Sequence, residues 1–248
     1  MKLKEKVGIV TGGTSGIGLA IGKKLAEEGA NVILIGRDEA KGKKATKEVP
    51  QSVFLSADIT KESAITSVIE ETSKRFGKID ILINAAGMNV SHEDIAKLSE
   101  ETYNTLMDTD FKSIVFMTKY VIPYLLKTKG SIVNIASQFA FTPDSEVPLY
   151  CSAKAAVVMF TKTMALTYGK AGVRINAVCP GAVHTPLLEQ FFTDNEELQE
   201  WYADAKRVPL MRTGHPYEIA NVVAFLVSDE ASYVTGAAWG VDGGSSLT

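Results

Sequence analysis

Val7-Gly8-Ile9-Val10-Thr11-Gly12-Gly13-Thr14-Ser15-Gly16-Ile17-Gly18 decides the fold. The run Val7–Val10 is short, apolar and rich in β-branched residues, which suits a buried strand. A glycine-rich turn follows it, and Ile17–Glu28 reads as a helix. A glycine turn between strand and helix lets the backbone bend tightly and approach a pyrophosphate. The phosphate charge then suits the partly positive helix N-terminus. Gly12, Thr14, Ser15, Gly16, Ile17 and Gly18 are the cradle residues on this reading. The spacing is Gly-x-x-x-Gly-x-Gly and departs from the G-x-G-x-x-G template, so packing alone is the competing explanation. The strand–turn–helix context favours the phosphate.

The same alternation continues outward. Strand-like runs stand at Val32–Ile35, Val53–Leu55, Ile79–Ile83, Ser131–Ile135 and Val173–Val178, and a weaker one at Ala237–Val241. Helical stretches separate them at Asp38–Glu48, Lys61–Phe76, Glu100–Lys127, Tyr150–Tyr168 and Pro216–Val227. Continuous apolar strands divided by helices predict a parallel sheet covered on both faces. Right-handed crossovers make it a doubly wound, mostly parallel seven-stranded α/β sheet, read as a single domain over residues 1–248. Ligands of such sheets bind outside the carboxyl ends of the strands, and every motif below falls there.

Bulk properties exclude several classes. Of 248 residues 46% are hydrophobic, enough for a core, and 26 basic against 29 acidic residues give a net charge of −3. No basic surplus points to nucleic acid or an anionic membrane. No apolar stretch approaches the ~20 residues a membrane span needs, and the charged start predicts no signal peptide. Cys151 and Cys179 have no metal-ligand spacing, so no metal is expected, and thiols in a reducing cytoplasm are the plain reading.

The second strand bears on cofactor choice. An acidic residue about 20 positions after the glycine turn normally holds the ribose hydroxyls of NAD. Here that place is Gly36, and Arg37 follows. A guanidinium suits the 2′-phosphate of NADP. NADP(H) is therefore favoured. NAD(H) is the alternative, should Asp38 turn toward the ribose rather than cap the next helix.

Tyr150-Cys151-Ser152-Ala153-Lys154 puts a phenol and an ammonium at i and i+4, on one helical face. A phenol is a poor base at neutral pH, and a neighbouring cation favours its ionised form. The tuned phenol gives a proton to a carbonyl oxygen or takes one from an alcohol. Ser137, at the end of the fifth strand, is placed to orient the same oxygen.

With these motifs in order, the chain resembles the short-chain dehydrogenase/reductase family, in its branch of about this length. The resemblance runs from end to end over Thr11-Gly12-x-x-x-Gly16-x-Gly18, Asp58, Asn84-Ala85-Ala86-Gly87, Ser137, Tyr150-x-x-x-Lys154, Pro180-Gly181 with Thr185, and Val241-Asp242-Gly243-Gly244. It implies that Asp58, with Ile59 beside it, meets the adenine, and that Asn84, Ala85 and Gly87 shape the ribose region. Lys154 would also hold the nicotinamide ribose, and Val183 and Thr185, after the Pro180–Gly181 turn, the carboxamide. Tyr150 would be the acid/base and Ser137 its partner. The family usually carries an Asn in the helix after the fourth strand, and Asp110 stands there. A carboxylate near Lys154 would pair with it and weaken its pull on Tyr150, so Asp110 enters as a further member of the relay.

Residues 187–209 read as an insertion that, in similar proteins, lids the substrate pocket. Phe191 in it, with Met88, Gln138, Phe139 and Val147, forms the expected substrate wall, suited to an uncharged alcohol or ketone. The activity expected is hydride transfer between the dinucleotide and a carbonyl or secondary alcohol. A 3-ketoacyl reductase acting on a carrier-bound chain is a rival. A nucleotide-sensing protein without turnover is another, since fold alone does not establish function. The apolar run Val222–Val227 is broader than one helix face needs, which with the resemblance predicts a homotetramer or a dimer.

Overall fold

The computed structural model describes residues 1–88, 94–189 and 208–247. Seven strands, β1 (Val7–Thr11), β2 (Asn31–Gly36), β3 (Ser52–Ser56), β4 (Ile81–Asn84), β5 (Ser131–Ile135), β6 (Arg174–Pro180) and β7 (Ala238–Val241), form one sheet. Its order is β3-β2-β1-β4-β5-β6-β7, and every pairing is parallel. The predicted doubly wound seven-stranded sheet is what the chain forms. The strand order reverses between β1 and β4, which opens a crevice at their carboxyl ends. Register pairs Thr11 with Asn84 and with Ile35, so the glycine turn, the end of β2 and Ala85–Gly87 share one rim.

Among the described residues eight α-helices lie between the strands: α1 (Gly16–Glu27), α2 (Glu39–Glu48), α3 (Glu62–Phe76), α4 (Glu100–Met107), α5 (Ser113–Thr128), α6 (Pro148–Tyr168), the short α7 (Pro186–Glu189) and α8 (Pro216–Val227). Alternate strand residues feed opposite faces. Val10 and Leu34 pack with Ile21 of α1 and Val223 of α8, whereas Ile9 and Ile33 pack with Ile65 of α3 and Val121 of α5. All eight are buried. Side chains of this kind contribute about 1.5–3 kcal/mol each when fully buried.

Three sequence readings change. The stretch Glu100–Lys127 is not one regular helix: a π-type turn, Asp108–Lys112, joins α4 to α5. Such a turn takes in an extra residue and re-aims its side chains, and Asp110 is thereby turned fully inward. β4 starts at Ile81 rather than Ile79 because the Asp80 carboxylate is used at the strand's foot, accepting the Val7 N–H at 2.9 Å. The apolar run on α8 is mostly consumed within the chain: Val223, Ala224, Leu226 and Val227 are buried in the core shared with α1. Only Val222 and Phe225 of that run remain partly exposed.

Candidate active site

The crevice is a cleft of about 500 Å³, within the range of small-molecule and cofactor sites. Its floor at one end is the glycine turn. Gly12 and Gly16 hold positive φ values of 65° and 51°. A Cβ on Gly12 would lie 2.8 Å from Ala86 Cα, so the turn closes against the end of β4 only because no side chain is there. Thr11 fastens that contact, since its buried hydroxyl oxygen accepts the N–H groups of Ala85 and Ala86 at 3.0 and 3.1 Å. Ser15 caps α1 by position but its side chain accepts no bond from the helix. The first N–H groups of α1 are thus left without a side-chain cap at the cleft, a cradle that fits a pyrophosphate.

Cationic groups gather beyond the turn. Arg37 is exposed at the end of β2 and lines the cleft with Lys41, in the first turn of α2. Asp38 is occupied as the α2 cap, its Oδ1 accepting the Lys41 N–H at 2.9 Å. A Cβ on Gly36 would meet Thr14, which already fills the place of an acidic side chain. Asp58 lies opposite. Burial pushes its carboxyl up, but two hydrogen bonds from Thr60 and the nearby Arg37 charge bring it below the ordinary carboxylate value.

The other end holds Ser137, Tyr150 and Lys154. Ser137 follows β5 and is buried, and Tyr150 and Lys154 project from α6. All three line the cleft. Ser137 lies near enough to the phenol to favour its ionised form, and the Tyr150 ring stands edge-on to Phe139 with centroids 6.4 Å apart. Lys154 Nζ lies 5.3 Å from the Tyr150 ring centroid and 2.9 Å from Asp110 Oδ2. Burial pushes Lys154 down, but the Asp110 carboxylate outweighs it and holds the ammonium above its usual value. Burial pushes the Tyr150 phenol up, against the pull of Lys154.

Of the residues singled out from the sequence, the cleft brings together Gly12, Thr14, Ser15, Gly16, Ile17, Gly18, Arg37, Asp58, Ile59, Ala85 and Gly87 on its dinucleotide side. Met88, Ser137, Gln138, Phe139, Tyr150, Lys154, Pro180, Gly181, Val183 and Thr185 line the remainder. Three stand elsewhere. Asn84 is buried in the sheet and donates to Asn134 Oδ1 at 2.8 Å, so its side chain supports the rim from behind. Val147 is buried at the N-terminus of α6, away from the cleft wall. Asp110 does not line the cleft itself and reaches its wall through Lys154 and the Met88 N–H. Phe191 and most of the 187–209 insertion lie outside the described residues, although Leu187 and Leu188 at its start do line the cleft. Sequence reasoning missed Lys41. The signal was available, because the Asp38 cap fixes where α2 starts and turns position 41 back toward the end of β2.

The chain's relatives agree with this geometry. A family model described as Enoyl-(Acyl carrier protein) reductase matches residues 12–246. Meso-2,3-butanediol dehydrogenase of Serratia marcescens is 35% identical over 250 residues, spanning 100% of this chain and 97% of that protein. L-fucose dehydrogenase of Bos taurus is 35% identical over 243 residues, 98% of this chain and 90% of that one. A solved 3-ketoacyl-(acyl-carrier-protein) reductase from Brucella melitensis, complexed with NADH, superposes with a TM-score of 0.91 at 31% identity, covering 98% of this chain and 99% of that one.

Proposed function

The chain belongs to the short-chain dehydrogenase/reductase family, and from that premise we propose that it moves a hydride between NADP(H) and a small, uncharged ketone or secondary alcohol, with Tyr150 as general acid/base. It is an oxidoreductase dependent on a nicotinamide dinucleotide and acting on CH–OH or C=O groups. One observation carries the finer reading: Ser137, Tyr150 and Lys154 meet at one end of a cleft whose other end is the glycine turn flanked by Arg37 and Lys41.

A bound dinucleotide supplies or accepts the hydride. Every other task falls to the chain. The N–H groups that open α1 hold the pyrophosphate, and Arg37 with Lys41 meets the 2′-phosphate by charge-assisted hydrogen bonds. Asp58 accepts from the adenine amine, with Ile59, Ala85 and Gly87 as neighbouring walls. Val183 and Thr185 receive the carboxamide, and Lys154 the nicotinamide ribose. Ser137 orients the substrate oxygen, and Tyr150 gives it a proton or takes one away. Met88, Gln138 and Phe139 border the substrate.

Two outer features belong to the same proposal. Exposed Met159 and Leu166 on α6, together with Trp239 on the edge strand β7 tilted against Phe225, suit a homotetramer or, failing that, a dimer. Among the described residues no helix is long and apolar enough to cross a membrane, and both cysteines are free, which suits a reducing cytoplasm.

The test is a spectrophotometric screen of NADPH and NADH oxidation against small ketones and ketoacyl thioesters. Turnover of at least one small ketone with NADPH is expected. Turnover confined to the thioesters would replace this reading with a carrier-bound substrate, and tight cofactor binding with no turnover on either panel would make the protein a sensor.

A further inference from the structure

Asp110 is completely buried, and its two oxygens have different partners. Oδ1 accepts the Met88 N–H at 2.8 Å, and Oδ2 lies 2.9 Å from Lys154 Nζ. Lys154 is only 3% exposed, so little water screens the pair. Its other close acceptor is the Ile135 carbonyl at 3.4 Å. The ammonium thus faces a carboxylate before it faces the phenol.

We propose that Asp110 is a positioning residue that turns Lys154 from a free cation into half of a neutral pair, setting the site to donate a proton to a carbonyl oxygen at neutral pH rather than to withdraw one from an alcohol. This rests on the reading of Tyr150 as the acid/base.

The groups around the phenol come from every neighbouring element. Lys154 and Cys151 belong to α6, Ser137 follows β5, and Asp110 reaches in from the π-type turn. Cys179 of β6 faces Lys154 from behind, its thiol pushed up to about 12 by burial and therefore uncharged at neutral pH. Among the described residues Asp110 is the one carboxylate in this set. A lone ammonium would favour phenolate, and an anion at contact distance from it offsets part of that field. Asp110 also acts on the phenol directly, in the same direction as burial. In reduction the phenol O–H bond breaks toward the carbonyl oxygen while a hydride from the reduced dinucleotide reaches the carbonyl carbon. The products are an alcohol, oxidised dinucleotide and a phenolate, which takes its proton back from water.

The experiment compares kcat/KM against pH, in both directions, for wild type, Asp110→Asn and Asp110→Glu. Asn keeps the size and an oxygen for the Met88 N–H but removes the charge. The midpoint of both limbs should fall by at least about one pH unit in Asp110→Asn, a tenfold change in the ionisation equilibrium. It should stay near the wild-type value in Asp110→Glu. A midpoint unmoved in Asp110→Asn overturns the inference. If that variant lacks turnover, or no substrate is found, tyrosinate formation is followed by ultraviolet difference titration, with the Tyr150→Phe protein subtracted to isolate Tyr150. Ionisation at lower pH in Asp110→Asn than in wild type supports the inference, and ionisation at the same or higher pH overturns it. That titration needs no substrate, so the inference fails or stands separately from the proposed function.

Discussion

Thr14 stands where a side chain at position 36 would grow: a Cβ on Gly36 would lie 2.9 Å from Thr14 Cγ2 and 3.0 Å from its Oγ1. The place that holds an acidic residue in an NAD site is therefore closed, and the cations Arg37 and Lys41 border the cleft beside it. Wild-type kcat/KM should favour NADPH over NADH by at least about tenfold, or ~1.4 kcal/mol. Arg37→Ala should erase most of that preference and leave NADH turnover nearly unchanged, with a smaller loss in Lys41→Ala. Gly36→Asp should weaken NADPH use by repulsion. A gain for NADH should come only when Thr14→Ala is added to make room. Steady-state kinetics with both cofactors decides this, and a wild type that prefers NADH would return the assignment to Asp38, which would then have to leave its bond to the Lys41 N–H.

Tyr150→Phe and Lys154→Met should separate into two phenotypes. Deleting the hydroxyl removes acid–base help that typically contributes ~10²–10⁴-fold, so Tyr150→Phe should lose turnover by that factor. Its NADPH affinity, measured by fluorescence titration, should stay within a few-fold. Lys154→Met should lose both turnover and affinity. It should also lower stability by about 3–5 kcal/mol, because the buried Asp110 carboxylate is left without its counter-ion. Retention of most kcat in Tyr150→Phe would remove it from the mechanism.

Much of this arrangement was legible in the sequence because it is written in local rules. Val7–Val10 and Gly12–Gly18 announce a strand, a turn and a helix by composition and spacing alone, and Tyr150 and Lys154 share a face by helical period. The π-type turn at Asp108–Lys112 was not legible as such, since its residues continue the helical pattern and only burial of Asp110 shows where the chain is re-aimed. Asn84 sat in a motif by position, yet its side chain answers to Asn134 across the sheet, a pairing set by register fifty residues away. Lys41 carried no motif. Its place follows from the Asp38 cap, a local signal that says nothing of the cleft until the sheet brings the end of β2 beside the glycine turn.

Asn134 links three elements. It accepts from Asn84 Nδ2 at 2.8 Å and donates to Thr161 Oγ1 at 2.9 Å, tying β4 to β5 and β5 to α6. All three side chains are buried. Asn134→Ala leaves Asn84 Nδ2 without its acceptor, at about 1–3 kcal/mol for an unsatisfied group, whereas Thr161 Oγ1 keeps its bond to the Val157 carbonyl at 2.8 Å. A fall in Tm of roughly 2–4 °C per kcal/mol is expected for a chain of this size. Cofactor affinity should fall too, because Asn84 stands directly before the Ala85–Gly87 rim. A calorimetric Tm equal to wild type would show that the chain of amides carries no net stability.

His184 lies between Val183 and Thr185, both on the cleft wall, and its ring stacks on His215 with centroids 4.9 Å apart and planes 13° from parallel. Burial lowers the His184 pKa, and the neighbouring His215 lowers it further. The folded value is therefore below the unfolded one, near 6.5. A histidine depressed in this way favours the fold in its neutral form. Its contribution is fully present above the unfolded value and is lost as pH falls through the folded one. This contribution to thermal stability should be constant above about pH 6.5 and decline below it. In His184→Gln, whose amide reaches the place of Nε2 and keeps a polar partner for Thr213, that part of the decline should be smaller. The difference between the two melting curves isolates His184 from the carboxylates, which titrate alike in both proteins. Equal slopes would show that His184 titrates in the folded chain as it does in the unfolded one. A real difference should appear again in NADPH affinity at acid pH, because the charged ring would press the Val183–Thr185 segment away from His215.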